Sequence, residues 1–384
     1  MRRWFLLVAG CLALAGCARR EPLSLRMVRS EMQRCPDAAF LDGQEGNLKW
    51  NYTTGLELDA FLEVYSVYGG ADILDYVASW YERIIAPDGT IGGKYSLEKY
   101  NLDHICPGRT MLHLSAIAPQ PKYEAAADTL LRQLRGQPRT GAGAFWHKAV
   151  YPGQVWLDGL FMAEPFYAEV ALARGADSLW NDIALQFRVA AEKTFDPATD
   201  LYRHAWDESR AMFWADPATG QSAHSWGRAV GWYAMALVDV LGVFPAEHPE
   251  RVALEDILRR LLETLPRYAD PATGMWYQVL DCPGREGNYV EATCSAMFTY
   301  VYLKADRLGL YRSDARKLYR KLVRTFLREE ADGSVTLEHC CAVAGLGGKQ
   351  MRSGTFEYYI GEAVTENDPK GVGPFIRASL EYEK

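Results

Sequence analysis

Asp158 lies in the stretch Val155 to Tyr167, VWLDGLFMAEPFY, between Trp156, Leu157, Leu160 and Phe161, with Gly159 directly after it. An ionised carboxylate is costly among apolar side chains unless something pairs with it, so such a group tends to stay protonated near neutral pH. A carboxylic acid held neutral in a cleft is what a general acid requires. The same residue could instead be an N-cap, accepting backbone N–H groups ahead of the run GLFMAEPF. Four further stretches carry reactive or binding groups: Tyr100-Asn101-Leu102-Asp103 followed by Gly108-Arg109, Phe145-Trp146-His147-Lys148, Tyr202-Arg203-His204-Ala205-Trp206-Asp207, and Ser225-Trp226-Gly227-Arg228 through Trp232. Aromatic faces beside cations and carboxylates suit a sugar acid, because indole rings stack on C–H faces while Arg and Lys hold the acid group. Each taken alone also has a structural reading. Trp226 and Trp232 at helix spacing could be core, and His147 or His204 could be a hydrogen-bonded structural imidazole.

The elements that must position these groups read as helices. Apolar residues fall at Leu58, Phe61, Leu62 and Tyr65 within Leu56 to Tyr68, a stripe at helix spacing. Tyr123 to Leu134, Ala184 to Thr194, Val252 to Tyr268 and Ala296 to Leu308 behave alike, and Val230, Ala234, Leu237 and Leu241 repeat through Trp226 to Phe244. A first helix is expected around Ser24 to Gln33, and alternating strand runs are scarce. The loops between helices share wording: Asp196-Pro-Ala-Thr-Asp, Asp216-Pro-Ala-Thr-Gly and Asp270-Pro-Ala-Thr-Gly each lead into a short aromatic segment. Asp-Pro followed by Thr-Gly is turn chemistry, and three near copies point to a repeated helical hairpin. Such hairpins can stack openly or close into a ring. About a dozen helices of ordinary size fit the length, which favours a closed all-α toroid in one domain over residues 48–384.

With 49% apolar and 24% charged residues in 384, the chain has ample core for a globular fold. A net charge of −7 argues against nucleic acid and offers no basic stripe for anionic lipid. Arg2 and Arg3 precede a short apolar run from Trp4 to Ala15 that ends in small residues, the pattern of an export signal rather than a membrane span. Leu14-Ala15-Gly16-Cys17 resembles a bacterial lipobox. That resemblance implies a signal peptide over residues 1–16, lipid on Cys17 and a tether over residues 17–47. The expected location is an exported lipoprotein, periplasmic or anchored to the outer membrane, touching the membrane only through that lipid. Beyond Cys11 and Cys17, the cysteines are Cys35, Cys106, Cys282, Cys294, Cys340 and Cys341. None forms a Cys-x-x-Cys pair and no His cluster has metal-ligand spacing, so no metal or cofactor is expected and most are read as core thiols.

The segments WHKAVYPGQVWLDGLFMAEPF, HAWDES, WADPATGQSAHSWGRAVGW, NYVEATCSAMFTYVYLKA and RSGTFEYYIGEAVTENDPKGVGPF resemble the unsaturated rhamnogalacturonyl hydrolases of glycoside hydrolase family 105. The glucuronyl hydrolases of family 88 are a more distant likeness. The resemblance runs from about Trp50 to Glu381 and implies an (α/α)6 toroid. It places the proton donor of the Trp-Leu-Asp-Gly block on Asp158 and the second acid on Asp103. It places substrate contacts on His147, Lys148, His204, Trp226, Arg228 and Trp232, with Tyr52 as an aromatic from the first helical block. The Arg-Asp-Gly-Ser-like loop of that family reads here as Arg352-Ser353-Gly354-Thr355, which puts a further contact on Arg352.

The implied substrate is an oligosaccharide left by a polysaccharide lyase, bearing a double bond between ring carbons 4 and 5. The expectation is a monomeric enzyme in which Asp158, kept neutral by apolar walls and by Asp103, protonates carbon 4. The two acids should then titrate as a pair with one raised, Arg228 and Lys148 should hold the substrate carboxylate, and Trp226 or Trp232 should stack on the ring. The competing readings are an unsaturated glucuronyl hydrolase or galacturonidase of the same fold, a glycan-binding lipoprotein without chemistry, and a helical scaffold for protein partners.

Overall fold

A computed structural model describes residues 21–43 and 48–384. The signal peptide, Cys11 and Cys17 read from the sequence lie outside the described residues. The helices are α1 (Leu23–Arg34), α2 (Tyr52–Tyr68), α3 (Ala71–Ile84), α4 (Cys106–Ile117), α5 (Pro121–Gly136), α6 (Leu157–Arg174), α7 (Ser178–Thr194), α8 (Gly227–Leu241), α9 (Arg251–Thr264), α10 (Ala292–Arg307), α11 (Ala315–Phe326), the short α12 (Phe356–Gly361) and α13 (Pro369–Glu383).

Six of them form a closed ring. α2 packs on α4, α4 on α6, α6 on α8, α8 on α10, α10 on α13, and α13 returns to α2. Each inner helix carries one outer helix: α3 on α2, α5 on α4, α7 on α6, α9 on α8, α11 on α10, and α1 on α13. The first helix therefore completes the hairpin of the last, and the Ser24 backbone N–H donates to Glu383 Oε1 at 3.0 Å. This is the (α/α)6 toroid expected from the sequence.

Burial separates the two layers. Every residue of α8 is buried, as suits a helix enclosed on all sides, whereas α11 buries only Ala315, Tyr319, Leu322 and Phe326, a one-sided stripe. The stripe read through Trp226 to Phe244 was thus part of a helix buried all round. Asn51 caps α2 by accepting from Thr54 N–H at 2.9 Å, and Pro107, Pro121 and Pro369 occupy first turns, where a missing N–H is harmless.

Because inner and outer helices alternate in direction, the six inner N-termini surround a single mouth. Short antiparallel turns follow the outer helices: Ile85 bridges Ile91, Arg139 bridges Phe145, Phe195–Asp196 pairs with Leu201–Tyr202, Ala269 bridges Trp276, and Leu327–Glu329 pairs with Val335–Leu337. In the shared Asp-Pro-Ala-Thr wording the Asp carboxylate closes the turn, accepting from Ala198 N–H at 3.1 Å in one copy and from Thr273 N–H at 2.8 Å in another. The copy at Asp216 closes its turn likewise but lies within the connection from α7 to α8, so it does not mark a hairpin of its own. Among the described residues no helix is long and apolar enough to cross a membrane, and Cys106, Cys294, Cys340 and Cys341 are buried free thiols.

Candidate active site

Asp158 sits in the first turn of α6, inside the helix, and the N-cap position is taken by Trp156. The capping role is therefore not the one it plays. A three-residue strand, Gln154–Trp156, pairs with Ala205–Asp207 and brings two loops together, so that the helix start faces His204. His204 is fully buried. Its Nε2 lies 3.2 Å from Asp158 Oδ2 and its Nδ1 lies 2.7 Å from the Tyr359 hydroxyl. Around this imidazole stand Trp156 at 5.3 Å, Trp226 at 4.9 Å and Tyr359 at 6.0 Å between ring centroids.

The second acid is reached through another loop. Asn101 accepts from the Asp103 N–H at 3.1 Å, which turns the short helix Leu102–His104 toward the mouth. Lys148 donates to Asp103 Oδ2 at 2.5 Å, and His147 Nε2 lies 3.5 Å from Asp103 Oδ1. The His147 ring stacks on Trp156 at 4.7 Å and 11°, and Tyr151 stacks on the other side at 5.2 Å and 6°. The Gly345–Gly354 loop packs outside this sandwich, with Leu346 against Trp156, Trp214 and Ala205. A Cβ at Gly345 would meet Arg352 Nη1 at 3.0 Å and Trp156 at 3.6 Å, so Arg352 stands beside the indole.

Arg228, in the first turn of α8, donates to the Cys341 carbonyl at 2.5 Å and lies 4.7 Å over the Trp226 ring. It is almost wholly buried, yet among the described residues it joins no ion pair, and Asp368 and Glu291 act on it only at longer range. The Tyr52 phenol lies within electrostatic reach of Arg228, Asp103 and Asp158, which places the two acids and this cation around one space.

The protonation expected from the sequence needs correcting. Burial is the largest influence on Asp158 and raises it, but the charge and hydrogen bond of His204, with His147 behind them, outweigh burial and hold the carboxyl below its ordinary value. Asp103 is also held low, by Lys148 and then His147 against its burial. Both acids are thus ionised near neutrality, and neither is raised as the paired reading expected. Burial pushes His147 down to about 4, so it is neutral at pH 7. Physical contacts also revise two other roles. Lys148 is committed to Asp103 rather than left free for a ligand. Trp232 is 1% exposed and packs on Phe161 at 4.7 Å and Tyr52 at 6.3 Å, in the wall beneath the mouth.

Three contributors escaped the sequence reading: Tyr151, Trp156 as a stacking platform, and Tyr359. Trp156 was visible in the Trp-Leu-Asp-Gly block, and Tyr151 lay four residues past His147. Nothing in the local sequence of Tyr359 reveals that it stacks on Trp226 at 17° and reaches His204. A further cluster at the rim, His224, Asp281 and Cys282, brings three ligand-type atoms within 4.8 Å of one another. Its carboxylate is taken up by Arg203 at 2.5 Å, His224 at 3.0 Å and the Ser225 N–H at 2.9 Å, so it braces the loop entering α8.

A closed ring of six helical hairpins with two acids and an aromatic wall at one mouth defines a six-hairpin glycosidase. The chain belongs to Glycosyl Hydrolase Family 88, whose sequence pattern matches residues 23–384, and it is a glycoside hydrolase. A family 105 glycoside hydrolase of C. acetobutylicum superposes with a TM-score of 0.90 at 40% identity, over 94% of this chain and 99% of that one. Protein Atu3128 of Agrobacterium fabrum is 42% identical over 230 residues, 57% of this chain and 97% of that protein. The unsaturated rhamnogalacturonyl hydrolase YesR of Bacillus subtilis is 26% identical over 265 residues, 67% of this chain and 72% of YesR. An unsaturated glucuronyl hydrolase of Streptococcus agalactiae shares the fold, with a TM-score of 0.65 at 12% identity, over 95% of this chain and 94% of that one.

Proposed function

We propose that the enzyme removes a 4,5-unsaturated uronic acid from the non-reducing end of lyase-generated pectic oligosaccharides of the rhamnogalacturonan type. The observation that carries this reading is Asp158 at the mouth, paired with His204 beneath an aromatic wall, with the unpaired Arg228 guanidinium across the same space. The likeness to YesR, named for rhamnogalacturonyl substrates, supports the pectic assignment.

The unsaturated ring is a vinyl ether. Asp158 transfers its proton to carbon 4, the double-bond electrons form the new C–H bond, and positive charge develops on carbon 5 and the ring oxygen. Water adds at carbon 5 and gives up a proton to a carboxylate, for which Asp158 itself and Asp103 are the candidates. The hemiketal opens, and the ring oxygen leaves carbon 5 as a hydroxyl on carbon 1. That hemiacetal then collapses and releases the neighbouring sugar. Positioned proton transfer of this kind contributes about 10²- to 10⁴-fold.

Asp158 is ionised in the free protein, so it must gain its proton on binding. The substrate carboxylate brings a second negative charge and displaces water, and both raise a carboxyl group. Arg228 and Arg352 hold the substrate acid, while Tyr151, backed by Trp156, offers a flat apolar face to the ring. Incubating the protein with lyase-generated oligosaccharides and following the ultraviolet absorbance of the double bond tests the reading. Loss of absorbance on rhamnogalacturonan fragments is expected. Bleaching of glucuronan-type fragments alone would move the substrate to the glucuronyl class, and binding without bleaching would mark a glycan-binding protein.

The proposed location is the bacterial cell envelope, with lipid on Cys17 after cleavage behind Gly16. Labelled fatty acid should enter the protein and be lost in Cys17→Ala; an unlabelled protein would refute the anchor.

A further inference from the structure

Behind the His147 ring lies a small cavity of about 10 Å³, lined by Leu102, His147, Gly159, Leu160, Glu164 and Gln186 among others. Two buried polar atoms of its lining residues have no hydrogen-bond partner: His147 Nδ1 and Glu164 Oε2. His147 is 3% exposed and Glu164 is 1% exposed, so neither can reach bulk water. Gly159 leaves room on the imidazole side, since a Cβ there would stand 3.1 Å from His147 Nδ1 and 3.0 Å from Leu102 Cδ1. Glu164 follows Leu160 by one turn on α6, so both present the same helix face to the cavity.

A volume near that of one probe sphere, with polar groups on its walls, is what a single internal water occupies. Orphaned buried donors and acceptors are rare in native proteins, and ordered water is a common remedy. We propose that this cavity is a water site, and that Glu164, through that water, is a positioning residue that fixes the tautomer of His147. The inference rests on the active-site reading above, because it gives His147 its purpose.

The hydrogen-bond directions form a consistent chain. Burial and the nearby Asp182 keep Glu164 in its neutral acid form. Its O–H donates to the water, and the water donates to His147 Nδ1. The imidazole, neutral at pH 7, then carries its proton on Nε2, where it faces Asp103 Oδ1. Without the water, Nδ1 could take the proton, and Asp103 would face a lone pair instead of an N–H.

The test combines a crystal structure at a resolution that orders internal water with ¹⁵N-histidine NMR of the wild type, Glu164→Gln and Glu164→Leu. The proposal expects a water within hydrogen-bonding distance of both atoms and an Nε2–H tautomer at His147. Glu164→Gln, which can still donate, should keep both. Glu164→Leu should lose the water, shift the tautomer, and lower kcat by about two- to tenfold with KM little changed, the scale of one hydrogen bond. A dry cavity, or unchanged His147 nitrogen shifts in Glu164→Leu, would overturn it. The cavity and tautomer readouts need no substrate, so they stand apart from any failure of the proposed function.

Discussion

The two ends of the helical ring treat buried charge in opposite ways. From the middle of the inner helices toward their C-termini, Asp239 accepts from Arg109 at 2.5 Å, Lys304 at 2.6 Å, Tyr300 at 2.6 Å and Arg377 at 3.2 Å. Asp59 is held by Arg377 and by His113 at 2.6 Å, and Glu169 by Arg109 and His113 at 2.8 Å each. All six inner helices contribute to this network or to the Arg307–Glu381 pair beside it. At the mouth, by contrast, Asp158 Oδ2, His204 Nε2 and His147 Nδ1 lack a well-directed hydrogen bond, and Arg228 joins no ion pair among the described residues. An unsatisfied buried polar group costs about 1–3 kcal/mol. The difference teaches that one end pairs its buried charges and locks the ring, although Arg377 Nε lacks a partner there, while the other leaves charged groups for a ligand to complete.

Breaking the incomplete end should cost activity and spare the fold. Asp158→Asn keeps the shape and removes the acid, so kcat should fall by about 10²- to 10⁴-fold with an unchanged circular dichroism spectrum and melting curve. Turnover near wild type would refute the assignment. Breaking the finished end should do the reverse. Arg109→Met leaves Asp239 and Glu169 short of a cation, and removing one partner of a buried pair costs about 3–5 kcal/mol. Urea unfolding should register that loss, while the folded fraction keeps its native KM. A raised KM at native stability would erase the contrast between the two ends.

Two titrations sharpen the comparison with smaller effects. At the mouth the active form carries a protonated Asp158, whose carboxyl is held low in the free enzyme. kcat/KM reports the free enzyme and should fall with rising pH from the acid side. kcat reports the complex, where substrate charge raises Asp158, and should hold to higher pH. Coincident alkaline limbs would remove the proposed gain of a proton on binding. In the network, burial opposes protonation of His113, but Asp59 and Glu169 outweigh it and lift the imidazole to about 10. A folded value above the unfolded one of about 6.5 contributes stability that is complete below pH 6.5 and lost as pH rises through about 10. Unfolding free energy should decline across that window, and His113→Gln should flatten the decline.

The ring was legible in the sequence because its causes are local. Helical stripes at Leu58, Phe61, Leu62 and Tyr65, and turns closed by Asp196 and Asp270, act over a few residues. The positions of Asp103, His147, Asp158, His204 and Arg228 came from motif blocks, and the structure gathers them at one mouth. What could not be read were properties set by distant partners. The neighbours of Asp158 in sequence are apolar and argue for a neutral acid, whereas its nearest ionisable neighbour in space is His204, held in turn by Tyr359 from the tail. Lys148 looked free because nothing near it in sequence showed that Asp103 would take it.

The central claim is that hydrolysis begins with a proton placed on ring carbon 4. Running the reaction in deuterated water with an unsaturated uronyl oligosaccharide, and examining early product by NMR, tests it most directly. The account predicts one deuterium on carbon 4 of the released uronic acid. No deuterium on carbon 4, with the double bond still present in the released uronic acid, would contradict it.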